Sequence, residues 1–389
     1  MLTRKRIKKG LVYALTAFLM LLMFIRPVER NAYQSLSTDT IHYEHGIVRE
    51  VVEEELSTSE VEPSHQLGVQ VLKVELEDGT LEEINNYLTD THNILAEAGT
   101  RIVVCADTPE GTEPYYTVYN YNRTIPVTML AAVFLLLMLF VGRLKGFDAS
   151  LAILFSLVLL LRFTLPMLYN GTSPLLVGFV STLAVTGITL LLLHGITLRA
   201  ALASIVTLGG ECVAVGLYAI AEAALHIGGF QTDAAETLIV VAQNTGLQLK
   251  YVLLSSTMIA ALGAVMDVAV SLLSALWELK TAQPEMPAKN YIRSGLNIGR
   301  DMIGTMSNTL IFAFAGNSMA TMLSLFSYGV QAEQLLNSDY VAMELAQGLC
   351  GTCAVILTVP LAAVTAAIAF PRMKIPDQGS VQNSTSVHP

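Results

Sequence analysis

The sequence predicts an all-α polytopic membrane protein of about eight transmembrane helices with a small extracytoplasmic, β-rich and barrel-like domain. Composition is the first reason, because 53% of the 389 residues are apolar, only 14% are charged, and mean hydropathy is +0.56. A soluble domain carries roughly 25% charged residues, so this chain is too poor in charge to cover a soluble surface. The other two reasons are the spacing of its apolar runs and the uneven placement of its charges.

Eight apolar runs follow one another along the chain, and each is at or near the ~20 residues that a helix needs to cross a bilayer. They cover residues 11–25, 125–141, 147–168, 174–193, 200–224, 251–276, 302–328 and 345–370. Lys and Arg collect at alternate ends of these runs, and the short loops assigned to the outer side contribute only Lys250. This pattern follows the positive-inside rule and predicts a multi-pass plasma-membrane protein with both termini in the cytoplasm.

The segment between the first two runs is strongly acidic, with 19 acidic against 5 basic residues between Arg26 and Asn122. Stretches rich in Val, Tyr and Thr at 46–52, 67–76, 101–105 and 115–121, with an Asp-Gly hairpin signal at 78–79, predict short β-strands. So many carboxylates repel phosphate, which excludes nucleic acid as a partner but leaves a protein partner possible.

The predicted division of the chain follows from these runs. It comprises a basic segment and signal-anchor helix at 1–25, an extracytoplasmic domain at 26–124, a seven-helix transmembrane domain at 125–370, and a disordered cytoplasmic tail at 371–389. The bilayer is therefore the first expected partner.

Polar residues inside the apolar runs are candidates for function, because an Asp, Lys or Arg at mid-helix costs roughly 2.5–3.5 kcal/mol on insertion scales. Gly263, Asp267, Ser271, Ser274 and Glu278 recur at helical spacing on one face. The next predicted span, whose polar start is at Ser294, repeats this arrangement at Asn297, Asp301, Gly304, Thr305 and Asn308. We expect the two faces to present a carboxylate, amides and hydroxyls to a cation, a proton or a small solute. The alternative is a hydrogen-bonded cluster that only holds helices together.

Three further charged residues lie in apolar runs. Glu211 is near the middle of its run, which adds it to the candidate binding residues Asp267, Asn308, Ser271, Asn297 and Asp301. Arg162 and Glu222 lie at similar predicted depths, and we expect them to form a structural ion pair because an unpaired buried charge is costly.

Catalytic motifs are absent from the sequence, which contains no P-loop, GxSxG, HExxH or kinase signature. No enzyme activity, cofactor or metal site is predicted. The CxxC at Cys350 and Cys353 lies in the small-residue stretch GLCGTC, which favours close helix packing over zinc or redox chemistry.

Two stretches resemble the signature of the YibE/F-like family of bacterial multi-span membrane proteins: SGLNIGRDMIGTMSNTLIFAFAG at 294–316 and GAVMDVAVS at 263–271. The Tyr-x-Tyr-x-Arg ending of the acidic segment, at 119–123, is similar to that family's extracytoplasmic region. The resemblance implies a permease-type membrane protein and names no substrate. We therefore expect a secondary permease or exporter of an ion or small solute. The alternative is a non-transporting scaffold or assembly factor whose extracytoplasmic domain binds a partner.

Overall fold

The computed structural model describes residues 2–25, 40–231 and 235–373, with no side-chain detail for residues 2–6. The chain is mostly helical, with one five-stranded antiparallel sheet near its N-terminus. It separates into two compact units, 34–141 and the remainder. The predicted disordered tail lies almost entirely outside the described residues.

The sheet contains five strands in the order β3-β2-β1-β4-β5, and every neighbouring pair is antiparallel. The strands are β1 Ile41–Thr58, β2 Gln66–Glu75, β3 Leu81–Leu88, β4 Arg101–Asp107 and β5 Tyr115–Tyr121. The two edge strands, β3 and β5, approach one another, so the sheet is curled around an apolar core. The most central side chains of that core are Val48, Leu72, Val74, Ile102 and Val104, each with no exposed surface.

The predicted hairpin is present, since β2 and β3 pair across the Asp78–Gly79 turn and Gly79 has a left-handed φ of 84°. Strand β3 was missed because its sequence, LEEINNYL, is mostly polar. Its inward positions are nevertheless regular, with Ile84, Asn86 and Leu88 buried and their neighbours more exposed.

Strand β2 buries a polar residue, Gln70, in the core of the sheet. Gln70 lies in the core, followed by Leu72, Val74 and Leu76, so Val69 and Val71 face the other side. The Gln70 side chain is satisfied there: its Oε1 accepts from the Ala96 amide at 3.0 Å, and its Nε2 donates to the Ala96 carbonyl at 3.1 Å. Hydrogen bonding therefore allows a glutamine inside a β core.

Eleven α-helices are found among the described residues. They are α1 Leu2–Ile25, α2 Thr124–Leu159, α3 Leu165–Tyr169, α4 Pro174–His194, α5 Leu198–Leu225, α6 Ala235–Thr245, α7 Leu249–Ala282, α8 Ala288–Asn317, α9 Met319–Ser327, α10 Ala332–Leu336 and α11 Asp339–Ala369. A π-helical turn, Leu160–Thr164, joins α2 to α3.

Six helical segments in the described part of the chain are long and apolar enough to cross a membrane, or seven if α8 and α9 count as one span bent by 53°. The expected number was eight. One part of the difference is the bent α8–α9 pair, and the other is Thr124–Tyr169, a helical stretch of 46 residues that contains two of the predicted runs. At 1.5 Å per residue, 46 helical residues amount to about 69 Å of helix, roughly twice the thickness of a hydrocarbon core. A count of eight requires a division at Arg143, where the backbone leaves helical geometry (φ 50°, ψ −126°).

The core of the helical unit forms where α5, α7, α8 and α11 pack together. Small residues bring these helices close: a Cβ on Gly210 would lie 2.6 Å from Val265 Cγ1, and one on Gly299 would lie 2.1 Å from Val359 Cγ1. The four cysteines are free, with Cys350 buried and Cys353 exposed. Close helix packing in this part of the chain therefore depends on residues without bulky side chains.

Candidate functional site

The polar stripe of α7 lies on one face of that helix, as the spacing predicts. Its members are all exposed at the surface of the chain: Gly263, Asp267, Ser271, Ser274 and Glu278. The opposite face of α7 is buried in the helical core through residues that include Val265, Val268 and Leu272. No hydrogen bond or ion pair involves Asp267 within the described residues.

Asp267 lines a cavity of about 430 Å³ between α2, α4 and α7. Most of the lining is apolar, but five hydroxyl-bearing side chains also contribute. They are Ser156, Thr164, Ser181, Thr182 and Thr189. Two of these hydroxyls are joined across the helices, since Thr164 Oγ1 and Ser181 Oγ lie 2.7 Å apart. The cavity thus combines one carboxylate with several neutral oxygen atoms inside an apolar wall.

The polar face of α8 is also present, but it does not line this cavity. Asn297, Asp301, Gly304, Thr305 and Asn308 are all exposed, while the inward face of α8 packs on α11. Nothing in the described structure joins Asn308 to Asp267 by a hydrogen bond. The expected single site shared by the two faces is therefore not formed, because the Asp267 side of α7 borders α2 and α4.

Glu211 is the most deeply buried of the predicted site residues, with 1% of its surface exposed. It lies in α5 next to Gly210, where an added Cβ would overlap Val265 of α7 and Thr358 of α11. Neither carboxylate oxygen has a hydrogen-bond partner among the described residues. Glu211 is therefore separate from the Asp267 cavity, which its side chain does not line.

The expected ion pair between Arg162 and Glu222 is wrong. Glu222 Oε1 lies 3.5 Å from Lys250 Nζ, at the start of α7, and the Glu222 side chain is 6% exposed. Arg162 is an exposed residue of the π-helical turn, and its guanidinium stacks over the Phe24 ring, 4.9 Å from the ring centroid. Arg162 and Glu222 lie at similar predicted depths in the membrane, but Arg162 does not lie on a helix face that packs against α5. The cation closest to Glu222 is instead Lys250, in the first turn of α7.

Sequence reasoning missed a buried carboxylate, Asp148 of α2, which is 3% exposed. Lys9 Nζ donates to it at 2.8 Å, and Tyr13 Oη donates to its other oxygen. Its position at the edge of an apolar run, next to basic residues, was the available signal. Within the described residues, no group of three or more His, Cys, Asp or Glu side chains is placed to hold a metal ion.

Comparison with known proteins gives one family. A family model described as YibE/F-like protein matches residues 130–372, which contain the Asp267 cavity, Glu211 and the polar face of α8. No curated protein and no solved structure matches the chain.

Proposed function

The chain belongs to the YibE/F-like family, and from this premise we propose that it is a multi-pass plasma-membrane permease for a cation or a small polar solute. The observation that carries the proposal is the 430 Å³ cavity in which Asp267 meets five hydroxyl-bearing side chains. An ionisable residue within an apolar helix is costly, and it is usually found where it binds an ion or lines a substrate path.

The chemistry of the cavity suits a cationic ligand. The Asp267 carboxylate supplies a negative charge, and the serine and threonine oxygens replace water in the ligand's hydration shell. The apolar remainder of the wall keeps the local dielectric low, which strengthens attraction between Asp267 and a cation. No nucleophile and base are paired here, so we propose binding and transfer of a solute and not catalysis.

A thermal-shift screen in detergent, across cations and small solutes, tests the proposal. A ligand at 100 times its dissociation constant stabilises a single-site protein by about 2.7 kcal/mol. We expect a stabilising ligand for the wild type and for Glu278→Gln, but not for Asp267→Asn. Glu278 is the matched control because it lies on the same exposed stripe of α7 and does not line the cavity.

Thiol labelling gives an independent test of cavity access. The test uses a background without the four native cysteines. A cysteine that replaces Ser156 of α2 lines the cavity, whereas a cysteine that replaces Ser274 lies on the polar stripe of α7 and outside the cavity. We expect the stabilising ligand to slow labelling by a hydrophilic reagent at position 156 and not at 274. The absence of any stabilising ligand, together with an unreactive cysteine at 156, would contradict the permease.

A scaffold function is the second candidate, and one observation in the sheet favours it. Strand β1 pairs with β4 from Ile41 to Ile47. Beyond Ile47, the backbone of Val48 is hydrogen-bonded to the Gly99–Thr100 turn, and no later residue of β1 has a backbone hydrogen bond on that side in the described structure. The rest of that edge borders a groove of about 540 Å³ that includes Glu53, Glu54 and Glu97. Under this alternative, a basic extended segment of a partner binds the groove. Under the same alternative, deletion of residues 40–121 abolishes capture of the partner. No ligand-induced thermal shift is then expected, either in the wild type or in the deletion variant.

A further inference from the structure

Glu211 is a buried carboxyl group that the Asp267 cavity does not explain. It is 1% exposed and lies where α5 packs against α7 and α11. Its neighbour Gly210 shows how tight this region is, since a Cβ there would lie 2.4 Å from Thr358 Oγ1 and 2.6 Å from Val265 Cγ1. Both oxygens of the Glu211 side chain are buried and without a hydrogen-bond partner in the described structure.

Among the described residues, no ion pair compensates the charge of Glu211. None of the charged or titratable side chains on the described helices that pack against α5 forms a hydrogen bond or an ion pair with it. On these helices such groups lie toward the ends or on other faces: His194 on α4; Lys250, Tyr251, Asp267, Glu278 and Lys280 on α7; Asp339, Tyr340, Glu344, Cys350 and Cys353 on α11. On α5 itself, Glu222 is paired with Lys250, and Tyr218 lies two turns away.

Hydroxyl groups without partners are found at a similar depth. Thr207 lies one turn before Glu211 on the same face of α5, and its Oγ1 is buried and unbonded. The Oγ1 atom of Thr186 in α4 is also buried and has no hydrogen-bond partner in the described structure. The link between α4 and α5 is only three residues, and Thr186 and Thr207 both lie roughly two and a half turns from it. The two antiparallel helices therefore carry these hydroxyls at one level.

An ionised carboxylate in such surroundings is very costly, because burial removes its hydration and no cationic side chain of the described residues is paired with it. A neutral carboxylic acid has an O–H that can donate to a threonine oxygen and a C=O that can accept from another. From this arrangement we propose that Glu211 is a proton-binding site, occupied by H⁺ when the helices are packed as they are here.

The α4 hydroxyls give this site a connection to the cavity. Thr182 lines the cavity, and its Oγ1 is itself buried and unbonded, one turn from Thr186 on the same helix. These hydroxyls are not hydrogen-bonded to one another or to Glu211 in the described structure, so a proton released from Glu211 reaches the cavity only when water enters between them. This coupling of proton release to solute movement rests on the proposed function; proton binding at Glu211 does not.

Infrared difference spectroscopy of the full-length protein at neutral pH tests the proposal directly. The spectrum of the wild type minus that of Glu211→Gln should contain the C=O stretch of a neutral carboxylic acid. The matched control is Glu222→Gln, because Glu222 is also buried on α5 but has Lys250 beside it. We expect carboxylate bands and no neutral-acid band in the control difference. Carboxylate bands in the Glu211 difference would overturn the proposal.

A second measurement needs only the wild type. Dicyclohexylcarbodiimide is an apolar reagent that adds to neutral carboxyl groups, the acid proton passing to a carbodiimide nitrogen as the carboxyl oxygen bonds to the central carbon. We expect mass spectrometry to find the adduct at Glu211 at neutral pH and not at Glu222. An adduct at Glu222 alone would contradict the assignment. Neither measurement requires transport, so a failed flux assay with a neutral-acid band at Glu211 rejects the permease and keeps the proton site.

Discussion

Lys9 of α1 donates a hydrogen bond of 2.8 Å to Asp148 of α2. The carboxylate is almost fully buried, whereas the Lys9 side chain is 42% exposed. Around this pair, Val12 of α1 packs in a cluster with Phe155 and Ile188, from α2 and α4. The Lys9 ammonium group of α1 thus compensates the charge of the buried Asp148 carboxylate of α2, and the two helices are also in apolar contact.

Lys9→Ala should lower the free energy of unfolding by about 1–2 kcal/mol, because Asp148 would lose its cationic partner and keep only Tyr13. Thermal unfolding in detergent measures the effect. Lys8→Ala is the control, since Lys8 is exposed on the neighbouring position. Equal melting temperatures for the two variants would show that the Lys9 contact does not contribute to stability.

A double-mutant cycle on Lys250 and Glu222 should give a coupling energy of about 0.5–1 kcal/mol, because the lysine is mostly exposed while the glutamate is buried. The same cycle on Arg162 and Glu222 should give a coupling energy near zero. Unfolding of the four variants in each cycle provides both values. A larger coupling energy for the Arg162 cycle would restore the pairing that the sequence predicted.

Gly299→Ala should destabilise the helical unit by about 1–3 kcal/mol, because its new methyl group would overlap Val359 of α11. Gly304→Ala, on the exposed face of α8, has no atom within 4 Å of the added carbon. It should be neutral or slightly stabilising, since alanine favours helix over glycine. Melting temperatures that fall equally in both variants would indicate that Gly304 is also a packing position.

Acid should remove a stabilising interaction from the sheet. Arg49 Nε donates to Glu75, and this hydrogen bond lowers the pKa of the Glu75 carboxyl below its usual value. A lowered folded-state pKa stabilises the protein above the unfolded-state pKa, and the contribution disappears as pH falls through the folded value. The melting temperature of the wild type should therefore exceed that of Arg49→Ala at neutral pH and converge with it in acid.

The control for this pH dependence is Arg101→Ala, which removes another exposed arginine from the same sheet. Its melting temperature should follow that of the wild type across the acid range. A difference between wild type and Arg49→Ala that stays constant with pH would show that Glu75 does not carry the effect.

Sequence periodicity was sufficient to place residues on helix faces. The stripes that begin at Gly263 and Asn297 are both exposed along their whole length, as expected from a repeat of 3.6 residues. Periodicity does not say which neighbouring helix a face meets. Asp267 borders α2 and α4, and Asn308 does not line that cavity.

Polar residues in apolar surroundings were harder to interpret. Gln70 and Asn86 occupy core positions in the sheet, where Asn86 Nδ2 donates to Gln70 Oε1 at 3.2 Å. Neither residue is marked in the sequence as buried, because a buried amide is tolerated only where a partner from elsewhere in the chain satisfies it. For Gln70 this partner is the backbone of Ala96, twenty-six positions away, and for Asn86 it is the carbonyl of Ile94.

Composition and local spacing alone determined that the chain has long apolar helices, an acidic β-rich segment between the first two, and carboxylates within several helices. These properties depend on neighbouring residues and on the low charge of the helices. The tertiary structure decided which charges pair, because Glu222 takes Lys250 over Arg162 according to the packing of α5 and α7. It also decided that Glu211 is buried without a hydrogen-bond partner among the described residues, since burial and isolation are set by every helix packed around it.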